Sequence, residues 1–434
     1  MASITRRNVL KTGVAVGCAG VGLTVGYDFL KDPLVKLDEE LNRAIQDLPA
    51  ASISAAIIKN NQLYWHKNYG YEDLDSRRKM AENSAWQTIG SISKLVVWTA
   101  LMQVIERGLV DLHRDISDYL GFKLRSPYYP QTPITAYHLM THSSSLSSRK
   151  LMSKPYPMAD SFCQNQDQTL AQWVAQNLNP SSESFSDVLV FDEYQAGDFS
   201  NVSQDPLGVV SGYSNLNAVV GAYIVERVTG QEFNVYCEDA IFEPCSMRQT
   251  SWNKEKPLHW ITHYEAEYSP RAPIMQLYTK AMIDQGYTGE SVSLMPDGRK
   301  FLNFVHCDYY SPVYPMGLLG SSMQSLVPLF LAFLNQGKVN DFALLQPETV
   351  TQILTTQRRD KTLGTQLGLG WFRKQDAHSN VQWGHDGGGP GVVSSAYVNP
   401  VNGSGVLLFI NNFHVNYALR EKLLKAMNKI ANSA

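Results

Sequence analysis

The sequence predicts an α/β fold of the α+β type, in which an antiparallel sheet built from both chain ends is flanked by helices and carries an inserted, mainly helical subdomain. Three observations lead to this prediction. A hairpin signal stands near each end of the chain, the segment between the hairpins has helical periodicity, and a further helical pattern follows the second hairpin. We expect the two hairpins to share one sheet.

The two hairpin signals lie at 52–74 and 391–412. The first, "SISAAIIKNNQLYWHKNYGYEDL", has an apolar strand, a turn at 59–62 and an alternating strand. The second, "GVVSSAYVNPVNGSGVLLFINN", turns at 400–405. The stretch 417–432 has helical periodicity, and we expect it to cover one face of the sheet.

The composition is that of a globular protein with a large core. Of the 434 residues, 44% are hydrophobic and 18% are charged, and the formal net charge is -3. This charge gives no polyelectrolyte signal, so we expect no nucleic-acid partner. The length fits two or three domains, and it fits equally well one discontinuous unit with an insertion.

The first thirty residues resemble an export signal. Paired Arg6 and Arg7 precede a weakly apolar, glycine-rich run at 12–27, which is typical of a twin-arginine signal, although Val9 stands where that pattern prefers Phe or Leu. The alternatives are an uncleaved membrane anchor and lipid attachment at Cys18. We expect an exported protein, periplasmic or held outside the cytoplasm by this segment, and membrane attachment through this segment only.

Four cysteines remain after residue 30. An even number permits disulfides in an oxidising compartment, but spacing alone assigns no pairing, and buried free thiols are the alternative. These cysteines are Cys163, Cys237, Cys245 and Cys307.

The motif "SISK" places Ser91 and Lys94 at the start of a long apolar helix. Three other Ser-x-x-Lys patterns in the chain lack such a helix. Residues three apart on a helix share a face, and a serine in the first turn lies beside free backbone N–H groups. Burial would disfavour the charged form of the lysine, so that its amine accepts the serine proton. The alternative is an N-capping serine with a lysine that reaches to water.

Two later motifs add polar groups of the same kind. In "SGYSN", Tyr213 and Asn215 precede another apolar helix. A phenol close to a lysine ammonium loses its proton more easily, and an amide can hold the lysine and a substrate carbonyl; a buried tyrosine with a helix-capping asparagine is the alternative. In "WGHDGGGPGVV", His385 and Gly387 stand at the entrance of a strand whose glycines allow close approach to a ligand; a glycine-rich hairpin is the alternative.

In this order, "SISK", "YSN" and "HDG" resemble the active-site motifs of penicillin-recognising serine hydrolases, in the branch that holds class C β-lactamases, D-alanyl-D-alanine peptidases and related esterases. Connecting segments such as "ITAYHLMTHSSSL" and "GLGW" are also similar to that family, and the likeness spans roughly 52–412. The resemblance implies a β-lactamase/transpeptidase-like fold and two-step covalent catalysis without metal or cofactor.

The resemblance also implies a domain plan. After the leader at 1–30, the remainder of the chain would form one β-lactamase-like serine hydrolase domain. Its expected parts are a sheet region at about 50–90 and 365–434 and a helical region at about 91–340, with insertions at 147–206 and 252–313.

Residue by residue, the family pattern implies that Ser91 attacks a carbonyl and is acylated. Lys94 and Tyr213 would handle its proton, and Asn215 would position the lysine and the substrate. The acyl donor would be a small molecule or a peptide.

The family pattern also places His385 where β-lactamases of this branch carry the lysine of a Lys-Thr-Gly triad. The oxyanion hole would use the N–H groups of Ser91 and Gly388, next to Gly387 on the same strand. Because histidine is neutral for much of its time at pH 7, it holds a β-lactam carboxylate less firmly, which argues against efficient β-lactamase activity.

The segment 155–206 has eight acidic residues and neither lysine nor arginine. If it covers the cleft, it would favour neutral or amine-bearing substrates over anionic ones. A solvated loop with no influence on the cleft is the alternative.

Two histidine pairs have i, i+4 spacing. His259 and His263 in "HWITH" lack the glutamate of a His-Glu-x-x-His zinc motif, which argues against a metal site. The resemblance makes His138 and His142 packing residues near the cleft.

Three functions remain open at this point. The first is an exported serine hydrolase that cleaves ester or D-amino-acid peptide or amide bonds. The second is a class C-like β-lactamase, against which His385 argues. The third is a non-catalytic module that binds a cell-wall ligand or a partner, against which the full set of reacting groups argues.

Overall fold

The structure is a computed structural model of the chain. It describes residues 32–47, 50–86, 88–147, 168–192, 212–253, 255–266, 292–296, 298, 300–304, 311–359, 366–377, 379–389, 391–412 and 417–433. The expected leader, with its twin arginines and Cys18, lies outside these residues, as do Cys163 and Cys307. Cys237 and Cys245 are buried free thiols.

The described part of the chain forms helices and strands along its whole length. In order they are α1 Pro33–Asp47, β1 Ser52–Lys59, β2 Gln62–Asp73, β3 Arg78–Lys79, β4 Ala85–Trp86, α2 Ser93–Glu106, α3 Ser117–Leu120, α4 Ala136–Met140, α5 Leu170–Leu178, α6 Asp187–Val190, α7 Asn215–Thr229, α8 Phe233–Cys237, β5 Thr250–Ser251, β6 His263–Ala266, β7 Val292–Leu294, β8 Lys300–Phe304, β9 Gly320–Ser322, α9 Met323–Leu334, β10 Lys338–Val339, β11 Phe342–Ala343, α10 Pro347–Ile353, β12 Arg358–Arg359, β13 Gln366–Leu367, β14 Phe372–Gln375, β15 Val381–Gly389, β16 Val392–Asn399, β17 Ser404–Ile410 and α11 Tyr417–Ala431.

Both chain ends share the main sheet, as the sequence predicts. Its nine strands run in the order β12-β13-β14-β15-β16-β17-β1-β2-β3, and each neighbouring pair is antiparallel. Strand β1 pairs with β17 in the register Ile53 to Ile410 and Ile57 to Val406, which joins the two predicted hairpins edge to edge. The predicted fold class is therefore confirmed.

The sheet is covered on both faces. In β1, Ile53 and Ile57 pack in one apolar cluster with helices α1 and α11, whereas Ala56 and Ile58 belong to the larger cluster on the helical side. Each fully buried aliphatic side chain of this kind stabilises the fold by about 1.5–3 kcal/mol. Helix α11 covers one face of the sheet, as predicted, and α1 lies beside it, although the sequence analysis places no helix there.

Helices α2 and α7 form the centre of the helical part. Most of their residues are buried, and in each helix the buried residues lie on every side. They approach closely at Gly221, where an added Cβ would lie 2.9 Å from the Trp98 ring. This contact requires a residue without a side chain on α7, and it fixes the two helices against each other.

The middle of the chain also contains two small sheets, β4-β9-β5 and β6-β8-β7. The second lies within the expected insertion at 252–313, in that part of it which the structure describes. Across the described ranges, no helix combines the length and the apolar character needed to cross a bilayer.

Candidate active site

Ser91 lies in a short 3₁₀ turn, Gly90–Ile92, that leads directly into α2. The N-cap of α2 is Ile92, so the alternative of an N-capping serine is wrong. Gly90 has φ +59, a left-handed conformation that favours glycine, and this bend precedes the serine. Ser91 is half-buried.

Lys94 faces Ser91 from the next turn. Its Nζ lies 2.9 Å from Ser91 Oγ and also donates to the carbonyl of Met316. The lysine is fully buried, and this burial holds its pKa well below the ordinary value. The alternative of a lysine that extends to water is therefore wrong. A neutral amine at this distance can accept the proton of the serine hydroxyl.

Tyr213 stands over the same two side chains, just before Ser214, which caps α7. Lys94 Nζ lies 5.1 Å from the centre of its ring. Burial raises the pKa of Tyr213, and its contact with Ser91 opposes this rise only in part. That contact lacks regular hydrogen-bond geometry, since the phenol oxygen is buried without a regular partner among the described residues.

The expectation that a lysine ammonium lowers the pKa of this phenol is thus wrong. Burial disfavours the charge of each group, so it lowers the pKa of Lys94 and raises the pKa of Tyr213. Asn215 is half-buried and is the first residue of α7, two positions after Tyr213. Ser214 forms the side-chain cap of this helix, so the alternative of a capping asparagine is wrong. The predicted role of Asn215 remains a prediction.

His385 lies on β15 and is 4% exposed. Its ring centre is 5.9 Å from that of Tyr213 and 4.9 Å from that of Phe372, which meets it edge to face. Burial, followed by the charge of Lys94, lowers the pKa of His385 to about 4. Its Nδ1 bonds the carbonyl of Asp386; a carbonyl only accepts, so Nδ1 carries the ring proton and Nε2 is an acceptor.

The glycines of β15 pack directly on the turn that carries Ser91. An added Cβ on Gly90 would lie 2.5 Å from the backbone nitrogen of Gly388, and one on Gly387 would lie 3.1 Å from the backbone nitrogen of Ser91. Ser394 Oγ also donates to the carbonyl of Ile89 at 2.8 Å, which ties β16 to the same turn. The two backbone nitrogens expected in the oxyanion hole are therefore neighbours.

The structure thus brings Ser91, Lys94, Tyr213 and His385 to one place and sets Gly387 and Gly388 beside them. It adds two groups that the sequence motifs do not predict, the Met316 carbonyl and the Phe372 ring. His142, which the resemblance predicts as a packing residue near the cleft, has its ring centre 4.4 Å from that of Tyr213. A backbone carbonyl leaves no signal in a sequence. Phe372 directly follows the "GLGW" segment, so the family resemblance could have pointed to it.

The other histidines have structural positions. His138 caps α4, where its Nδ1 accepts from the backbone N–H of Thr135. His263 lies in strand β6, so the helical spacing of "HWITH" does not apply. Within the described part of the chain, no group of three or more His, Cys, Asp or Glu side chains is arranged to hold a metal ion.

Most of the acidic segment lies outside the described residues. The expectation that it covers the cleft therefore stays a prediction. Three of its acidic residues fall inside the described range 168–192: Glu183, Asp187 and Asp192.

Comparisons with known proteins agree with this architecture. A family model described as Beta-lactamase matches residues 41–426. The chain is 20% identical over 373 residues to "Penicillin-binding protein 4*" of Bacillus subtilis (strain 168), across 86% of this chain and 70% of that protein. It is 26% identical over 225 residues to "Protein flp" of Staphylococcus aureus (strain MRSA252), across 51% of this chain and 39% of that protein, which is less than half of that relative's length.

Among solved structures, a D-amino acid amidase from Ochrobactrum anthropi SV3 has a similar fold. The TM-score is 0.65 at 16% sequence identity, and the match covers 92% of this chain and 99% of that chain. At this level of identity the likeness establishes the fold.

Proposed function

Because the chain belongs to the Beta-lactamase family, whose relatives of this fold are serine hydrolases, we propose that it forms an acyl-enzyme at Ser91 and cleaves ester or D-amino-acid amide and peptide bonds. One observation carries this proposal. The fully buried amine of Lys94 lies 2.9 Å from the oxygen of the half-buried Ser91, where it can act as the base for this nucleophile.

The reaction follows from the protonation states. As Ser91 Oγ attacks the acyl carbon, its proton passes to the neutral amine of Lys94. The tetrahedral oxyanion is held by the N–H groups of Ser91 and Gly388. Tyr213 gives its proton to the leaving nitrogen or oxygen, which departs as the acyl bond breaks, and the Lys94 ammonium returns a proton to the phenolate. Water then attacks the ester, and the same groups work in reverse.

The surroundings of His385 favour a particular substrate class. A neutral imidazole that presents Nε2 as an acceptor offers no charge to a substrate carboxylate, whereas it suits a neutral or N–H-bearing group. We therefore propose that neutral esters and D-amino-acid amides react faster than penicillins. The relative whose printed name is D-amino acid amidase supports this class.

Intact-protein mass spectrometry tests the proposal. The full chain is incubated with a p-nitrophenyl ester, a fluorophosphonate or a penicillin, and Ser91→Ala is treated in parallel. We expect one adduct per chain with the fluorophosphonate, rapid turnover of the ester and little penicillin adduct. The alanine variant should show none of these reactions.

Three results would contradict the proposal. A wild-type chain that forms no adduct with any reagent would indicate a binding module. An adduct that persists in Ser91→Ala would place the nucleophile elsewhere. Penicillin turnover faster than that of the neutral ester would indicate a β-lactamase.

Export through the twin-arginine route is a separate proposal, which rests on Arg6 and Arg7 and on the penicillin-binding name of a relative. The fractionation of the full chain in a bacterial host tests it. We expect the wild type outside the cytoplasm and an Arg6→Lys, Arg7→Lys double variant inside. Identical distribution of the two proteins would contradict this route.

A further inference from the structure

His142 lies directly against the candidate site. It follows α4, has φ +50 and is 1% exposed. Its ring is tilted by 34° to that of Tyr213, with 4.4 Å between the two ring centres, and its other neighbour is Trp98, whose ring centre is 6.4 Å away. A non-glycine residue in this backbone conformation is uncommon, so its surroundings hold it there.

The hydrogen bonds of His142 fix its protonation. Nδ1 accepts from the backbone N–H of Ser214 at 3.2 Å and lies 2.9 Å from the amide nitrogen of Asn217. The Asn217 oxygen accepts from Ser144 Oγ at 2.6 Å, and Ser144 Oγ in turn accepts from the N–H of Leu146. This chain of donors turns the Asn217 amide nitrogen toward the histidine. With two donors on Nδ1, the single ring proton lies on Nε2.

The charged and titratable groups around His142 keep it neutral. Lys94 on α2, His385 on β15 and Arg358 on β12 each lower its pKa, after the larger effect of burial, and Tyr213 lies on its ring face. A second proton would have to enter at Nδ1 and displace both donors there. His142 therefore contributes shape and hydrogen bonds to the site, without charge.

The orientation of the Tyr213 side chain depends on the rings packed against it, including that of His142. Its hydroxyl has no regular hydrogen bond among the described residues, so the ring contacts with His142, Phe372 and His385 define its orientation. The backbone that carries it is held one residue further on, where Ser214 donates to His142.

We propose that His142 is a positioning residue, which holds the Tyr213 phenol over Ser91 by ring packing and by its hydrogen bond to the backbone of Ser214. This inference rests on the proposed function, since it gives Tyr213 a part in the reaction at Ser91. A misplacement of about 1 Å at a reacting group slows a reaction by about 10²-fold.

Two variants separate the ring contact from the hydrogen bonds. His142→Asn puts an amide oxygen near the position of Nδ1, tolerates a positive φ and removes the ring. His142→Phe keeps a ring and leaves two buried donors without their acceptor. His263→Asn is the matched control, because it removes another fully buried histidine, which packs against Trp86 outside the site.

The measurements are the rate of fluorophosphonate labelling, kcat and KM for a p-nitrophenyl ester between pH 5 and 9, and the melting temperature. We expect His142→Asn to fold and to lose kcat by about 10- to 100-fold with KM nearly unchanged. His142→Phe should melt lower and lose at least as much kcat in its folded fraction. The acid limb of the pH profile should stay in place, and His263→Asn should react like the wild type once folded.

Several outcomes would overturn the positioning role. The first is a wild-type kcat in folded His142→Asn, and the second is a defect of that variant confined to KM. The third is an equal loss of kcat in His263→Asn. The fourth is an acid limb of the pH profile that moves in His142→Asn, which would make His142 a proton carrier. Absence of labelling in the wild type would contradict the proposed function and this inference together, whereas labelled wild type with unaffected variants contradicts the inference alone.

Discussion

At the scale of single residues, Lys94 decides the chemistry of the site. Its amine is enclosed by α2 and the turn at Met316, and no acidic side chain pairs with it among the described residues. An unpaired buried ammonium costs several kcal/mol, so burial holds the pKa of Lys94 well below its ordinary value. Because the pKa of this lysine is lower in the folded chain than in the unfolded chain, its burial lowers stability at neutral pH.

Lys94→Met tests this reading of the buried amine. We expect acylation to slow by about 10²- to 10⁴-fold, because the base for Ser91 is lost. The melting temperature should stay equal or rise, since an apolar side chain of similar length replaces a group that resists burial. Fluorophosphonate labelling and calorimetry measure the two effects. A Lys94→Met variant that keeps the wild-type labelling rate would contradict the role of Lys94 as the base. A variant that unfolds would contradict the expected effect on stability.

His385 gives the stability of the protein a defined pH dependence. Its pKa is about 4 in the folded state, below its value in the unfolded chain, so the unfolded state binds more protons between these pH values. Stability should therefore rise with pH from about 4 to 6.5 and be lost as pH falls through that window. The contribution is on the order of 3 kcal/mol.

His385→Gln should flatten this acid limb, since glutamine does not titrate. Urea unfolding at several pH values between 4 and 7 gives the free energy of unfolding of each protein. The slopes of this free energy against pH are then compared between the two proteins. Part of the slope should remain, because the pKa of His142 is also well below its ordinary value. Equal slopes in wild type and variant would show that His385 binds its proton equally well in the folded and the unfolded state.

At the scale of secondary structure, the site depends on the contact between β15 and the 3₁₀ turn before α2. The strand reaches the turn because both have glycine where their backbones meet, and Ser394 bonds the turn from the next strand. The proposed nucleophile and the proposed second oxyanion donor come from elements that are far apart in the chain, so their separation is set by this one packing contact.

Gly90→Ala should disturb the contact, because its Cβ would lie 2.5 Å from the Gly388 nitrogen. Loss of one oxyanion donor typically slows acylation by about 10²- to 10³-fold. Gly108→Ala is the matched control: Gly108 has φ +69, and an added Cβ there would meet nothing within 4 Å. Both variants carry the backbone strain of alanine at positive φ, about 1–2 kcal/mol, but only the first should lose labelling rate. Equal labelling in both would contradict the argument.

At the scale of the whole molecule, one sheet joins the chain ends and separates two apolar clusters. The smaller cluster lies between the sheet and helices α1 and α11, and the site lies on the other side, where the larger cluster packs. Stability and chemistry are thus supported by different layers. A defect in the smaller cluster should unfold the protein without a direct effect on the site.

Leu423→Ala tests this separation, since Leu423 on α11 is fully buried in the smaller cluster. We expect a loss of about 2–5 kcal/mol in the free energy of unfolding. The labelling rate of the folded fraction should equal that of the wild type. Urea unfolding and fluorophosphonate labelling measure the two quantities. A proportionate loss of labelling in fully folded protein would mean that the layers are coupled.

The sequence by itself determined the strand pairs at both ends, the covering helix α11 and the identity of the side chains proposed to react. These features have local signals: alternation, turn residues at Asn60 and Asn61, and helical spacing. Helix α1 has such a signal too, since its buried residues Leu37, Leu41 and Ala44 have helical spacing, although it is not among the predicted elements.

Only the tertiary structure decided the protonation states. Burial lowers the pKa of Lys94, whose amine bonds the carbonyl of Met316, 222 residues further along the chain, and burial raises the pKa of Tyr213. Likewise, His142 became a neighbour of Tyr213 through packing. A motif specifies which groups are present, but burial and distance depend on segments remote in sequence, and these set the charge of each group.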